Sequence, residues 1–182
     1  MSSNKFPVDD GIISTIVEMM SDRNYRMSKI NHTEDEDDFL CFNIIFESEE
    51  ALDNYKIFFT LSNDLNIKLL EIYLQILSDE NVKNCVIVYR DVITSKVKNS
   101  INLFSRPIEL FNENELKFNI TKHRLVPKHI LLSDQEKNML KEINKFPLIL
   151  KIDPISKYYN FKRGQVIKII RKDKYVTYRL VV

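Results

Sequence analysis

Glycine is nearly missing from this sequence, since Gly11 and Gly164 are the only two among 182 residues. Motifs that bind phosphate groups or dinucleotides depend on closely spaced glycines, and neither G-x-x-x-x-G-K nor G-x-G-x-x-G occurs. The hydrolase elbow G-x-S-x-G and the zinc-protease motif H-E-x-x-H are absent too. The sequence therefore lacks the signatures of these four classes, and its two glycines mark positions where the backbone needs freedom.

Cysteine and histidine are also scarce. Cys41 and Cys85 are too few for a disulfide framework and too far apart for a zinc ribbon, which favours a reducing compartment. His123 and His129 lie six residues apart across a proline, a spacing that fits no common metal-ligand pattern. We accordingly predict no catalytic residue, no metal site and no cofactor.

Long apolar runs are absent as well. No stretch of 18 apolar residues occurs, and the first ten residues lack the basic and apolar regions of a signal peptide. These features predict a soluble, intracellular protein without a membrane partner. Because 44% of the residues are apolar, the chain can still bury a real core.

Charge is present but unevenly distributed. Residues 1–110 carry 11 basic and 19 acidic groups, a net charge of −8, whereas residues 111–182 carry 16 basic and 7 acidic groups, a net charge of +9. Five consecutive acidic residues, 34–38, predict an exposed connector in the first part. The asymmetry indicates two units, the second of which faces either phosphate groups or an acidic protein surface.

Hydrophobic periodicity predicts an α/β arrangement for the first part. Helical spacing of apolar residues occurs over residues 11–26 and 65–77, and Thr94 is placed to cap a third helix. Runs rich in aromatic and β-branched residues, at 39–46, 55–61 and 82–89, predict strands. Arg106-Pro107 and the polar stretch 112–115 mark a boundary near residue 110, so we predict domains 1–110 and 111–182.

The second part is predicted to be a small mixed sheet with flanking helices, which makes the fold α/β (α+β) overall. Ser133 and Glu136 form a capping box for a helix that should run to about Asn144, and Asp153-Pro154 opens another helix. The turn at Gly164 should lead into a strand over residues 166–171, and a last strand is predicted over residues 174–182.

Several blocks in this second part occur in the order of a known family. They are L-V-P-K-H at 125–129, S-x-x-E at 133–136, D-P at 153–154, K-R-G-Q-V-I-K-I-I-R at 162–171 and Y-V-T-Y-R-L-V-V at 175–182. The series resembles the assembly domain of the fifth common subunit of eukaryotic RNA polymerases I, II and III, whose archaeal counterpart lacks the N-terminal jaw domain. Residues 16–25, 86–94 and 109–116 extend the resemblance to the jaw domain, which implies the eukaryotic two-domain form.

The resemblance implies a noncatalytic polymerase subunit whose C-terminal domain docks on the largest subunit. The residues that it implies at that interface are Val126, Pro127, Lys128, His129, Lys162, Arg163, Gly164, Tyr178 and Arg179. It also implies a jaw along the downstream duplex DNA, with a weak contact that is not sequence-specific near Thr94, Ser95, Lys96 and Lys98. In many relatives this turn reads I-T-P-S-A, whereas here Ser95 stands at the proline position. No small-molecule substrate is implied.

Two alternatives remain from the residues alone. Scattered carboxylates of the N-terminal α/β core would suit a Mg²⁺-dependent, nuclease-like DNA-processing enzyme, and the basic second part would suit a free DNA-binding protein. The abundance of Asn, Ile and Lys indicates an AT-rich genome, such as that of a large DNA virus or a compact eukaryotic parasite. The expected location is the nucleus for a cellular protein, and the viral factory or virion for a viral one.

Overall fold

The computed structural model describes residues 8–34, 40–48, 53–61 and 65–182 and divides the chain into two compact units, Met1–Phe118 and Asn119–Val182. The acidic run predicted as a connector lies, apart from Glu34, outside the described residues. Among the described helices, none combines the length and the apolar character needed to cross a membrane.

The N-terminal unit is a five-stranded mixed sheet with helices. Its elements are α1 (Asp10–Asp22), β1 (Arg26–Glu34), β2 (Leu40–Ser48), β3 (Asp53–Phe59), α2 (Ile67–Asp79), β4 (Asn84–Tyr89), α3 (Ser95–Leu103), β5 (Ile108–Asn112) and α4 (Glu113–Leu116). The sheet order is β1-β2-β3-β4-β5, in which β1, β2 and β3 are antiparallel, and β4 runs parallel to both β3 and β5.

Burial on both faces explains why the inner strands are nearly continuous apolar runs. Phe58 of β3 stacks on Tyr73 of α2 with ring centroids 4.2 Å apart, in a core that α2 and α3 cover. Ile57 and Phe59 alternate with Phe58 along the strand, so they lie on the opposite face, and both are fully buried. The sheet is therefore the centre of a layered unit.

The C-terminal unit is a four-stranded mixed sheet with short helices. Its elements are β6 (Lys128–Leu131), α5 (Asp134–Asn138), β7 (Leu148–Ile149), α6 (Pro154–Tyr158), β8 (Val166–Ile170) and β9 (Val176–Val181), with 3₁₀ turns at Ile120–Lys122 and Ile143–Lys145. The order is β6-β8-β9-β7, and its core contains Ile149, Ile155, Phe161, Ile167, Ile169 and Val181. The predicted fold class, an α/β unit followed by a small mixed-sheet unit, is confirmed.

Several predicted elements differ from the structure in their bounds. The helix predicted over 11–26 ends at Asp22, because Asn24 has a left-handed backbone (φ 67°) and β1, which was not predicted, begins at Arg26. The helix expected to reach Asn144 ends at Asn138, and a separate 3₁₀ turn follows Glu142, whose backbone is left-handed (φ 54°). The predicted boundary near residue 110 falls inside β5, which pairs with β4 within the N-terminal unit.

Candidate functional site

The first group of predicted interface residues lies at the start of β6. Lys128 pairs with Ile170 and His129 with Ile169, so this segment runs beside the C-terminal end of β8. Val126, just before the strand, packs against the apolar core of the unit, while Lys128 is exposed. Val126 thus anchors the segment to the core by apolar contacts, while Lys128 presents a positive charge to solvent.

His129 is held in one orientation by its own chain. Its Nδ1 lies 2.8 Å from the Pro127 carbonyl oxygen, which accepts a hydrogen bond from the neutral imidazole. Burial lowers the pKa of His129 below its ordinary 6.5, against the opposing effects of the Pro127 carbonyl and of Asp153. The ring therefore serves as a neutral, half-buried donor, and the positive charge of this segment comes from Lys128.

The second group forms the turn that leads into β8. Gly164 has φ +83°, its N–H donates to the Val181 carbonyl at 2.9 Å, and its carbonyl accepts from Lys137 Nζ at 2.8 Å. The Lys162 N–H donates to Gln165 Oε1 at 2.6 Å, which closes the turn, while the Arg163 side chain extends into solvent. The predicted need for glycine at this position is confirmed by its left-handed backbone.

Tyr178 and Arg179 complete the predicted set on β9. They pair with Lys168 and Ile167 of β8, so their side chains leave the sheet on opposite faces. The Tyr178 ring stacks on Phe146 with centroids 5.7 Å apart, and Arg179 Nη1 lies 3.5 Å from the Leu148 carbonyl oxygen, which is long for a hydrogen bond.

The structure does not gather these nine residues into one patch. The segment 126–129 and the turn 162–164 flank opposite ends of β8, which spans about 13 Å. An open cleft of about 490 Å³ adjoins the turn, between Leu140, Ile143 and Leu180. A protein surface that contacted both groups would have to cover much of the unit.

The predicted DNA-proximal residues lie at the beginning of α3. Thr94 is the N-cap, and its Oγ1 accepts a long hydrogen bond of 3.4 Å from the Val97 N–H. Ile93 and Val97 are buried and anchor the turn, whereas Thr94, Ser95, Lys96 and Lys98 are exposed. Because residues two apart do not share a helix face, Lys96 and Lys98 point in different directions.

Ser95 occupies the first helical position, where the family resemblance implies a proline. Proline is favoured there because its missing N–H would have no intrahelical acceptor and its φ suits a helix. Thr94 has the extended backbone of a normal N-cap (φ −67°, ψ 152°) without a following proline. The turn is therefore built by the threonine cap and two buried anchors.

Carboxylates of the N-terminal core are engaged in structural contacts. Glu109 accepts hydrogen bonds from both terminal guanidinium nitrogens of Arg23, at 3.1 and 2.9 Å, and another from the Tyr55 hydroxyl. Asp53 accepts from the Tyr25 hydroxyl at 2.7 Å, and burial together with this hydrogen bond raises the pKa of Tyr25 well above its ordinary value. Within the described ranges, no group of three His, Cys, Asp or Glu residues is placed to hold a metal ion. The nuclease alternative gains no support from them.

The protein is a two-unit α/β chain whose C-terminal unit, a small mixed sheet with short helices, is strongly basic. Residues 118–181 match the family described as RNA polymerase Rpb5, C-terminal domain. The match covers nearly the whole C-terminal unit.

Full-length comparisons extend this relationship to both units. The chain is 33% identical to DNA-directed RNA polymerases I, II, and III subunit rpabc1 of Dictyostelium discoideum, over 94% of this chain and 95% of that protein. It is 33% identical to the RPABC1 subunit of Caenorhabditis elegans, over 76% of this chain and 71% of that protein. It is 29% identical to DNA-directed RNA polymerase subunit 5-like protein 1 of Arabidopsis thaliana, over 92% of each.

The chain belongs to the Rpb5 family and is a noncatalytic RNA polymerase subunit. The predicted family resemblance is confirmed.

Proposed function

We propose that the C-terminal unit attaches this subunit to the largest polymerase subunit and that the N-terminal unit lies along downstream duplex DNA during transcription. The main support is that the residues that match the family, 118–181, are nearly the same as those of the separate compact unit Asn119–Val182. That unit has its own apolar core, so it can present a stable surface to a partner.

Charge supports a division of roles between the units. Residues 1–118 carry 12 basic and 21 acidic groups, a net charge of −9, whereas residues 119–182 carry 15 basic and 5 acidic groups, a net charge of +10. A net charge of +10 on so small a unit favours an acidic partner surface, and the segment 126–129 with the turn 162–164 supplies exposed cations for it. The acidic N-terminal unit opposes general attraction to phosphate, so its DNA contact is local and weak.

Relatives from cellular eukaryotes bear the name of shared subunits of polymerases I, II and III. The proposed location is therefore the nucleus of a eukaryotic cell. Neither the largest-subunit contact nor the DNA contact involves a cofactor or a small-molecule substrate.

Copurification tests the attachment. The full chain, tagged and expressed in its own cells, is expected to retain the large polymerase subunits in near-equal amounts after a salt wash, as measured by quantitative mass spectrometry. Recovery of the chain alone, with tight sequence-specific DNA binding, would favour a free DNA-binding protein. Mg²⁺-dependent cleavage abolished by one carboxylate substitution would favour the nuclease alternative.

A double charge reversal tests the DNA contact. Lys96→Glu with Lys98→Glu should leave polymerase assembly intact but lower the salt resistance of elongation complexes, each lost phosphate contact reducing the salt slope by about 1. Lys68→Glu with Lys83→Glu is the matched control, because it makes the same charge change at exposed lysines of the same unit. Equal loss of salt resistance in both double variants would attribute the effect to net charge instead of to the turn at Thr94.

A further inference from the structure

The strand β7 has a neighbour on one side only. It pairs in parallel with β9, with Leu148 opposite Leu180 and Ile149 opposite Val181, and it ends the sheet order. The pairing continues past the strand, because the Lys151 N–H donates to the Val182 carbonyl at 2.8 Å. Hydrogen bonds to the neighbouring chain end therefore extend over residues 147–151, although only Leu148–Ile149 form a strand and a turn begins at the Leu150 carbonyl.

Backbone direction alternates along this edge. Pro147, Ile149 and Lys151 exchange hydrogen bonds with β9, so the backbone groups of Leu148 and Leu150 face away from the sheet. The Leu150 carbonyl accepts from the Asp153 N–H at 3.0 Å, and the Leu148 carbonyl has the long contact with Arg179. Within Asn119–Val182, all of which the structure describes, the two outward N–H groups have no acceptor.

The side chains at the outward-facing positions are apolar and exposed. Leu148 is 55% exposed and Leu150 56% exposed, whereas Ile149 between them is 4% exposed and belongs to the core. Natural edge strands are usually protected by charged side chains, by prolines or by a covering element. Pro147 and Lys151 flank this short edge, but its two outward N–H groups and the leucines on one face still form a surface to which an extended peptide can add as a further strand.

Charge decides between two occupants of this edge. The segment 141–151 carries Lys141, Lys145 and Lys151 against Glu142 alone, and the unit as a whole carries +10. A second copy of the chain would bring two strongly basic units together, which their mutual repulsion opposes. An extended segment with apolar side chains and acidic neighbours has the complementary charge.

We propose that β7 receives an extended, acidic and apolar segment of the largest polymerase subunit, which adds a fifth strand to the C-terminal sheet through the N–H groups of Leu148 and Leu150. This inference rests on the proposed function, because it names the part of the C-terminal unit that makes the attachment. Segment 147–151 lies outside the residues that the family resemblance placed at the interface.

Amide hydrogen exchange of the full chain tests the inference without any substitution. The amides of Leu148 and Leu150 should exchange rapidly in the free chain and at least roughly tenfold more slowly in the purified polymerase, since a hydrogen bond within a sheet protects its amide. Unchanged exchange at both positions in the assembled enzyme would overturn the inference.

Two variants of the full chain add an independent readout. Leu150→Pro removes an outward N–H and an exposed leucine side chain without removing a hydrogen bond to β9, and Leu150→Lys places a charge where an incoming strand would pack. Each should reduce retention of the polymerase in a competition assay by about tenfold, a loss of the size expected for disrupted main-chain pairing. Leu103→Lys is the matched control, because Leu103 is an 87% exposed leucine of the other unit, and it should retain the polymerase normally.

The outcomes separate this inference from the proposed function. Loss of copurification by the unsubstituted chain would contradict the proposed function itself. Normal retention of the polymerase by folded Leu150→Lys, or concentration-dependent dimers of the free chain that protect Leu148 and Leu150, would leave the proposed function standing and overturn the strand addition.

Discussion

At the scale of single residues, Gly164 is the position that allows least substitution in the predicted interface. Its φ of +83° lies where side chains with a Cβ are strained, yet a Cβ built there would meet no atom within 4 Å. The requirement for glycine therefore comes from the backbone alone and not from crowding.

The loss of stability on replacing Gly164 should accordingly depend on how well the new residue tolerates positive φ. Gly164→Val is expected to lower the free energy of unfolding by about 1–3 kcal/mol, because β-branched residues avoid positive φ. Gly164→Asn should cost clearly less, because asparagine tolerates the left-handed region. Calorimetric unfolding of the full chain measures both, and equal losses for the two variants would show that side-chain crowding, and not φ, is decisive.

His129 gives the C-terminal unit a dependence on pH. Because burial lowers its pKa in the folded chain, the unfolded chain binds the proton more readily. The folded chain therefore keeps its full stability above the ordinary pKa of 6.5. It loses stability as the pH falls from there through the lower pKa that His129 has in the folded chain.

The expected result is a larger fall in melting temperature between pH 7.5 and about pH 5 for the natural chain than for His129→Asn, which has no charge to gain. The groups that surround the ring, Asp153, Arg171 and Arg179, are unchanged in that variant. Identical pH profiles for the two proteins would show that His129 does not couple protonation to folding.

Contacts of single residues were predictable from the sequence where the two partners are close together in the chain. The capping box of Ser133 and Glu136, the Asp153-Pro154 helix start and the Thr94 cap all depend on residues within three positions, and all are confirmed. The contact of Arg23 with Glu109 joins residues 86 positions apart, and no local pattern carries such information.

At the scale of elements, Arg23 and Glu109 connect the end of α1 to β5. Arg23 is the C-cap residue of α1, and its side chain is 4% exposed, against 16% for Glu109. Tyr55 of β3 donates to the same carboxylate, so three elements meet at one buried ion pair. Removing one partner of such a pair leaves an uncompensated charge.

Glu109→Gln should therefore lower the free energy of unfolding by about 3 kcal/mol. Glu142→Gln is the matched control, because it breaks the exposed Glu142–Lys145 pair and should change stability by less than about 0.5 kcal/mol. Chemical denaturation monitored by circular dichroism checks both. Similar small effects for the two variants would mean that the buried pair contributes no more than a surface pair.

Helices and strands were predictable where the spacing of apolar residues follows a clear period and no turn interrupts it. The strands β2, β3 and β4 and the helices α1, α2 and α3 were all recognised from their apolar spacing. The strand β1 was missed because R-M-S-K-I-N-H-T-E has few apolar residues and a shift of register between Met27 and Lys29. The two-residue strand β7 was missed because L-I-L-K-I reads as a short apolar run without a definite period.

At the scale of the whole molecule, the two compact units carry opposite net charges. The boundary between Phe118 and Asn119 separates a unit of net charge −9 from one of +10. The sequence indicated this charge asymmetry but placed the boundary near residue 110, just after Arg106-Pro107. The strand β5 follows that dipeptide and pairs with β4, and this pairing is visible only in the folded sheet. The division predicts that attachment to the polymerase resides in the second unit.

The most direct test of that claim compares three tagged proteins expressed in the same cells: the full chain, residues 1–118 and residues 119–182. Quantitative mass spectrometry of the material retained with each protein measures the largest polymerase subunit. Residues 119–182 are expected to retain it as the full chain does, and residues 1–118 are expected not to retain it. Retention by residues 1–118 but not by a folded fragment 119–182 would show that the attachment resides in the first unit.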